Sequence, residues 1–492
     1  MVPAGKEPHL LGSIAWTAAA KWSVQIFSWI SSLIIARLLS PSDFGLLSMT
    51  TLFLGLIAIL SDFGLSSAVI NVPLVTRRQV RQLNTASLCL AIVTFGIAYG
   101  GRAQIAAFFR QQELLSVVPA MGLGLVFSGL KAVPNALLQK ALRFKVAALI
   151  DLLQAALQTG LTLLLAWLGF RYWALVLGGL AGGALSTLLT VACEHPGFAL
   201  PRYSEIRTLL AFGWKVFVSS VCWYGYSNAD FAVAGRVLGR TALGTYSLAW
   251  TLAMMPIDKL TSLIMRVTPG YFAKHQDDRA TLRRYVTGLT KWISLIVFPL
   301  AFGMTLIARD VVPLALGPKW VAAVAPLTLL CVYVPFASLM TIFPHVLNAM
   351  GRPSVGMWNS ILKLLIMPPA FYLGSRWGPE GIAIAWLVTY PPLAALLFVP
   401  GIRALEMGLS EYARAIRPAL IASAVMVGVV FLIRVSTLSG VSPILRVGSE
   451  IGAGAVAYAV LVLAIDPSVR TTVLCALRRR SARWPPAGHQ TP

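Results

Sequence analysis

Five lysines, Lys21, Lys131, Lys215, Lys259 and Lys363, interrupt stretches otherwise fit to cross a bilayer. An ammonium at membrane depth is costly and faces protein or a wet cavity, where it can hold an anionic group as a mobile point charge. Several of these lysines lie on polar helical faces. Lys21 is followed by Gln25, Ser28 and Ser32, Lys131 by Asn135 and Gln139, and Asn359 precedes Lys363 by one turn. Other stretches add Asp151, Gln154 and Gln158, then Tyr224 and Asn228, then His345 and Asn348. Faces of this kind suit a hydrophilic cavity whose amides pair with hydroxyls and whose ammonium groups trap an anionic headgroup. The competing assignment is that the lysine stems snorkel to cytoplasmic headgroups. It is favoured for Lys215, about one turn from its helix start. Lys259 follows Asp258 directly, and both read as structural.

Asp62, Asp151 and Asp230 are candidates for ion coupling, because a carboxylate in a low dielectric can take up and release a proton; the alternative is a structural pair or helix cap. Asp230 and Arg236 are poorly spaced to pair on one helix, so a partner on another segment is expected for Asp230. Trp22, Trp214, Trp223 and Tyr224 could stack on a ligand, although interfacial anchoring is the commoner role of membrane aromatics. Cys89, Cys193, Cys222, Cys331 and Cys475 are isolated and read as packing residues.

The elements that must position these groups are membrane helices. The chain has 492 residues, of which 58% are hydrophobic and 12% charged, far from the balance of a soluble domain. A spanning helix needs about 20 apolar residues, because backbone groups in hydrocarbon must pair within their own segment. About 14 spans fit this rule, near 12–38, 44–70, 83–101, 114–138, 145–168, 172–193, 210–236, 242–268, 288–308, 321–347, 356–375, 380–400, 415–433 and 446–465. The net charge of +23 is dispersed over short loops and gathers on no soluble domain, so nucleic acid is not indicated as a partner. With the N-terminus in the cytoplasm, roughly 24 Lys and Arg fall inside and roughly 11 outside. Both termini are then cytoplasmic, and the basic tail Arg478, Arg479, Arg480 and Arg483 joins the inside set.

The longest internal connection is expected at the charged stretch Tyr271 to Lys291, and no loop is large enough for a catalytic domain. No cofactor, metal or catalytic constellation is indicated. The nearest approach to a phosphate-cradling loop, Gly124 to Lys131, has a Leu between its second Gly and the Lys and lies inside a span. An enzyme such as a polysaccharide polymerase is therefore disfavoured.

An internal repeat recurs at an offset of 199 residues: Ala36-Arg37-Leu38-Leu39 with Gly45-Leu46-Leu47-Ser48 aligns on Gly235-Arg236-Val237-Leu238 with Gly244-Thr245-Tyr246-Ser247. Six spans separate the copies, so the halves are parallel and face each other across an axis along the membrane normal, an arrangement used by transporters. The expected organisation is an N-lobe over 1–200, a C-lobe over 201–405, two further spans over 406–466 and the tail over 467–492. Arg37 and Arg236 are expected at the outer ends of spans 1 and 7 as gating residues, or else as charges complementing helix C-termini.

The run Ala36-Arg37-Leu38-Leu39-Ser40-Pro41-Ser42-Asp43-Phe44-Gly45 followed by Ser61-Asp62-Phe63-Gly64-Leu65 resembles the amino-terminal signature of Wzx-type polysaccharide flippases of the MOP superfamily. Asp230-Phe231, Gly235 to Gly239, Leu243 to Ala249 and Leu138 to Phe144 agree with it. The resemblance covers roughly residues 12 to 400 and is strongest to the subgroup that includes the colanic acid exporter. It implies an all-α, MATE-like pair of six-helix lobes plus two C-terminal helices, and alternating access in the bacterial inner membrane. The implied substrate is an undecaprenyl-diphosphate-linked oligosaccharide, moved with no bond made or broken. A polysaccharide polymerase and export machinery are the implied partners besides membrane lipid. The resemblance leaves the glycan and the coupling ion, proton or sodium, open. Other transporter assignments are a multidrug or cation antiporter, against which the excess of intramembrane Lys over Asp and Glu argues, and a peptidoglycan-precursor flippase.

Overall fold

The computed structural model describes residues 31, 33–62, 69, 76–141, 143–202, 214, 217–218, 220–274, 278–436 and 442–471, without the side chains of Asp62, Phe144, residues 259–271 and 273–274, and Pro353. Regular structure among them is helical. The helices are α1 (Pro41–Asp62), α2 (Arg77–Gly100), α3 (Arg102–Phe109), α4 (Leu114–Lys140), α5 (Phe144–Trp167), α6 (Tyr172–Cys193), α7 (Ala229–Val233) and α8 (Arg240–Lys274). They continue with α9 (Arg279–Leu316), α10 (Val324–Met340), α11 (Phe343–Ala349), α12 (Pro353–Gly374), α13 (Gly378–Ala404), α14 (Leu409–Ser436) and α15 (Pro443–Ile465). A π-helical turn, Ala234–Leu238, continues α7. Ten segments among the described residues are long and apolar enough to span a membrane.

These helices start and stop where local chemistry dictates. Ser40 and Asp43 cap α1 reciprocally: Ser40 N and Oγ donate to Asp43 Oδ2 at 3.0 and 2.6 Å, satisfying groups left open at a helix start. Thr76 and Gln79 form the same box at α2. The charged stretch Tyr271–Lys291 departs from the expected connection, because α8 runs on to Lys274 and α9 already begins at Arg279. Its pattern is amphipathic. Leu282 and Val286 are buried, while Arg279 and Arg283 form ion pairs with Glu406 and Glu411, so the helix gains packing on one face and charge pairing on the other.

The chain divides into two compact units. The first draws on Met1–Leu248, Ala315–Trp320 and Met367–Ile382, and the second on Ala249–Leu314, Val321–Ile366 and Ala383–Pro492. In the first, α2 packs on α4 and α5 on α6 through small residues, which let membrane helices approach closely. A Cβ on Gly129 would stand 2.2 Å from that of Ala91, and one on Gly178 would stand 2.0 Å from Thr162 Oγ1. The Gly124 to Lys131 run is thus helical and interior to α4, with Gly129 at the contact with α2. In the second unit, α14 and α15 pair with each other, and Leu295 and Phe298 of α9 cluster with Ala419, Ala422 and Val462.

Candidate functional site

In the first unit, α4, α5 and α6 bring polar side chains to Lys131. Its Nζ donates to Ser186 Oγ at 3.3 Å, and the charge of Asp151 on α5 acts on it. Asn135 follows one turn along α4 and is half-buried, as is Gln154, whereas Asp151 and Gln158 are exposed. Gln158 lies against α6, where a Cβ on Gly182 would stand 2.8 Å from its own Cβ. The arrangement offers one ammonium, one carboxylate and several amides, a set able to hold an anionic, hydroxyl-rich ligand. Lys21, Gln25, Lys215 and the side chains of Asp62 and Lys259 lie outside the described residues.

Asp230 is fully buried, and its partner is on another helix. Tyr246 Oη donates to Oδ2 at 2.7 Å and the Phe231 amide donates to Oδ1 at 2.9 Å. Asn228 Nδ2 donates locally, to the Tyr224 carbonyl at 3.1 Å and Ser227 Oγ at 3.2 Å. Tyr224 donates to the Leu52 carbonyl at 2.8 Å, so its hydroxyl ties helices together, while Trp214 and Trp223 are exposed.

Both candidate gating arginines are exposed. The Arg37 carbonyl accepts a hydrogen bond from Lys319 Nζ at 2.7 Å, and the Ala36 carbonyl accepts one from the buried Trp320 Nε1 at 2.8 Å. Arg236 donates to the Ala107 and Phe108 carbonyls at the end of α3, complementing that helix terminus. Sequence reasoning missed Arg240, which donates to Glu113 Oε1 at 2.7 Å, to Gln111 Oε1 at 3.3 Å and to Ser42 Oγ at 3.5 Å.

The Glu113 carboxyl is held below its ordinary value of 4.5, first by a hydrogen bond from its own backbone and then by the Arg240 side chain. A depressed carboxyl stabilises the fold above its unfolded pKa and loses that contribution as pH falls through its folded value. Glu113 is partly exposed, so the effect is small, under about 1 kcal/mol. Below about pH 4.5 the wild type should lose thermal stability more steeply than Glu113→Gln; superimposable acid limbs in the two melting profiles would contradict this.

In the second unit, Lys363 is 5% exposed, and its Nζ lies 4.6 Å from the Tyr390 ring centroid, a cation–π distance. Tyr390 belongs to an aromatic cluster with Tyr333 at 5.1 Å and Trp386 at 6.0 Å, and Trp250 stands 5.2 Å from Trp386. One turn before the lysine, Asn359 Nδ2 donates to the Leu393 carbonyl at 2.6 Å. These aromatics went unnoticed in the sequence. Their signal was the i, i+4 pair Trp386 and Tyr390 on one face of an apolar span. A second charged group joins three helices: Asp310 of α9 pairs with Arg434 of α14 and Arg446 of α15, and Arg446 Nε lies 3.8 Å from the fully buried Glu450.

A family model described as "Polysaccharide biosynthesis protein" matches residues 34–325. Lipopolysaccharide biosynthesis protein WzxC of Escherichia coli (strain K12) is 26% identical over 382 residues, covering 76% of this chain and 77% of that protein. Succinoglycan biosynthesis transport protein ExoT of Rhizobium meliloti (strain 1021) is 23% identical, with 99% of each chain covered. Among solved structures, lipid II flippase MurJ in an inward closed conformation superposes with a TM-score of 0.75 at 12% identity, covering 91% of this chain and 98% of that one. The fold is thus all-helical and MurJ-like, in agreement with the all-α fold that the resemblance to the MOP superfamily implies.

Proposed function

The chain belongs to the polysaccharide biosynthesis protein family, and from that premise we propose that it flips a lipid-linked oligosaccharide from the cytoplasmic to the outer leaflet by alternating access. No bond is made or broken. The observation that carries this reading is Lys131 on its polar three-helix face, in a fold shared with a lipid II flippase. An ammonium and amides at membrane depth suit a headgroup that is both anionic and hydroxylated. Relatives are named for the biosynthesis of different polymers, lipopolysaccharide and succinoglycan, so carriage of a lipid-linked precursor is the step they would share.

In this reading the substrate is an undecaprenyl-diphosphate-linked repeat unit. Lys131 and Lys363 attract its diphosphate, together with Lys21. Gln25, Asn135, Gln154, Gln158, Asn228 and Asn359 serve the glycan. Asp62, Asp151 and Asp230 are the coupling acids, Asp230 acting through its Tyr246 bond. The lobes are residues 1–200 and 201–405, with spans 13 and 14 over 406–466 and both termini in the cytoplasm of an inner-membrane protein; a polymerase and export machinery take over the product. Deleting the gene tests the reading: surface glycan should be lost while its undecaprenyl-linked precursor accumulates. Normal surface glycan, or heightened sensitivity to cationic drugs as the sole phenotype, would contradict it.

A further inference from the structure

Gly45 and Gly244 occupy equivalent places in the two copies of the repeat, and the polar faces make no use of them. Each is seated on the backbone of the other copy, within the first unit. A Cβ built on Gly45 would stand 1.7 Å from the Arg240 carbonyl oxygen and 3.1 Å from the Gly244 nitrogen. One built on Gly244 would stand 1.8 Å from the Pro41 carbonyl oxygen and 2.9 Å from the Gly45 nitrogen. Pro41 and Arg240 share the same 199-residue offset, so the contact is reciprocal, as at a twofold axis. The opposing atoms are backbone and cannot rotate aside. Leu46 and Met49 on α1 and Leu243 and Tyr246 on α8 are fully buried.

Two physical features distinguish this joint from permanent packing. It is the crossing of two bare backbones, which can part without unthreading interlocked side chains. It also brings together the first turns of α1 and α8, whose dipole ends are both positive and repel. Asp43, 2% exposed, and Glu113 on Arg240 supply negative charge beside those ends. The closed contact is therefore held by close fit and offset charge against an intrinsic repulsion.

We propose that the Gly45–Gly244 pair is the outer closure of the transporter, met backbone to backbone when the external side is shut and parted when it opens. What is released on opening rests on the transport reading above, whereas helix separation itself is measured without substrate. Ser42, beside Arg240, is half-buried, and Ser42→Cys serves as a reporter for a membrane-impermeant maleimide. With both glycines present, external labelling should be slow. Gly45→Ala or Gly244→Ala should raise it roughly tenfold or more by forcing the backbones apart. Gly124→Ala, whose Cβ would meet nothing within 4 Å among the described residues, should leave it unchanged. If the glycine variants fail to insert, a cleavable short cross-link between Ser42→Cys and Arg240→Cys decides the matter, since it should stop export until it is cleaved. Unchanged labelling in inserted glycine variants, or full export by the cross-linked protein, would overturn the proposal. A labelling rise in a protein that moves no glycan would leave the closure standing and sink only the substrate assignment.

Discussion

Lys363→Gln and Lys131→Gln should each reach the membrane at wild-type levels and lose most surface-glycan export. Insertion should not suffer, because replacing an ammonium at depth removes a penalty of at least about 2.5 kcal/mol. Export should fall because a charge-assisted bond to phosphate contributes about 1.5–3 kcal/mol, equivalent to roughly ten- to a hundredfold. The arginine variants separate the two sites. Lys131 is half-buried with a hydroxyl at 3.3 Å, so Lys131→Arg should keep part of the activity. Lys363 is enclosed against Tyr390 and its aromatic neighbours, where a planar guanidinium needs more room, so Lys363→Arg should keep less. Export is measured in a deletion strain and normalised to the membrane level of each variant. Wild-type export by Lys131→Gln/Lys363→Gln would remove both lysines from substrate handling.

Arg446→Ala should destabilise the protein more than Arg434→Ala, although both arginines pair with Asp310. Losing Arg434 leaves Asp310 one cation. Losing Arg446 also strips the 3.8 Å ion pair from Glu450, which is fully buried and whose carboxylate oxygens have no hydrogen-bond partner among the described residues. An uncompensated buried charge costs on the order of 3–5 kcal/mol, less here to the extent that Arg446 itself is partly exposed. Glu450→Gln should then rescue much of the Arg446→Ala loss, because the orphaned charge is gone. Thermal melting in detergent reads the order. Equal losses for the two arginine variants, or no rescue by Glu450→Gln, would show that the pair contributes nothing to the packing of α15.

Much of this architecture was legible in the sequence. Apolar length is a strong signal in a bilayer, and the expected span 172–193 coincides with α6. The extent of α9 was obscured because its first two turns carry three basic residues, Arg279, Arg283 and Arg284, and charge density reads as loop unless the buried positions are known. The repeat disclosed that Gly45 and Gly244 correspond, but that they touch is a tertiary fact. Asp310, Arg434 and Arg446 are far apart in the chain and carry no local pattern. Lys363 stood out because a charge within an apolar span is rare, whereas the aromatics around it are common residues in any membrane helix and become informative only once folding places them beside a cation.

Movement of a lipid-linked glycan across the bilayer is measured most directly with purified protein in proteoliposomes that contain a labelled undecaprenyl-diphosphate-linked oligosaccharide in both leaflets. A membrane-impermeant glycosidase reports the fraction that reaches the outside. With active protein the protected fraction should disappear, the lipid–diphosphate linkage should stay intact, and Lys131→Gln/Lys363→Gln protein should leave the fraction protected. A protected fraction equal to that of protein-free liposomes, under conditions where the purified protein is folded, would contradict the assignment.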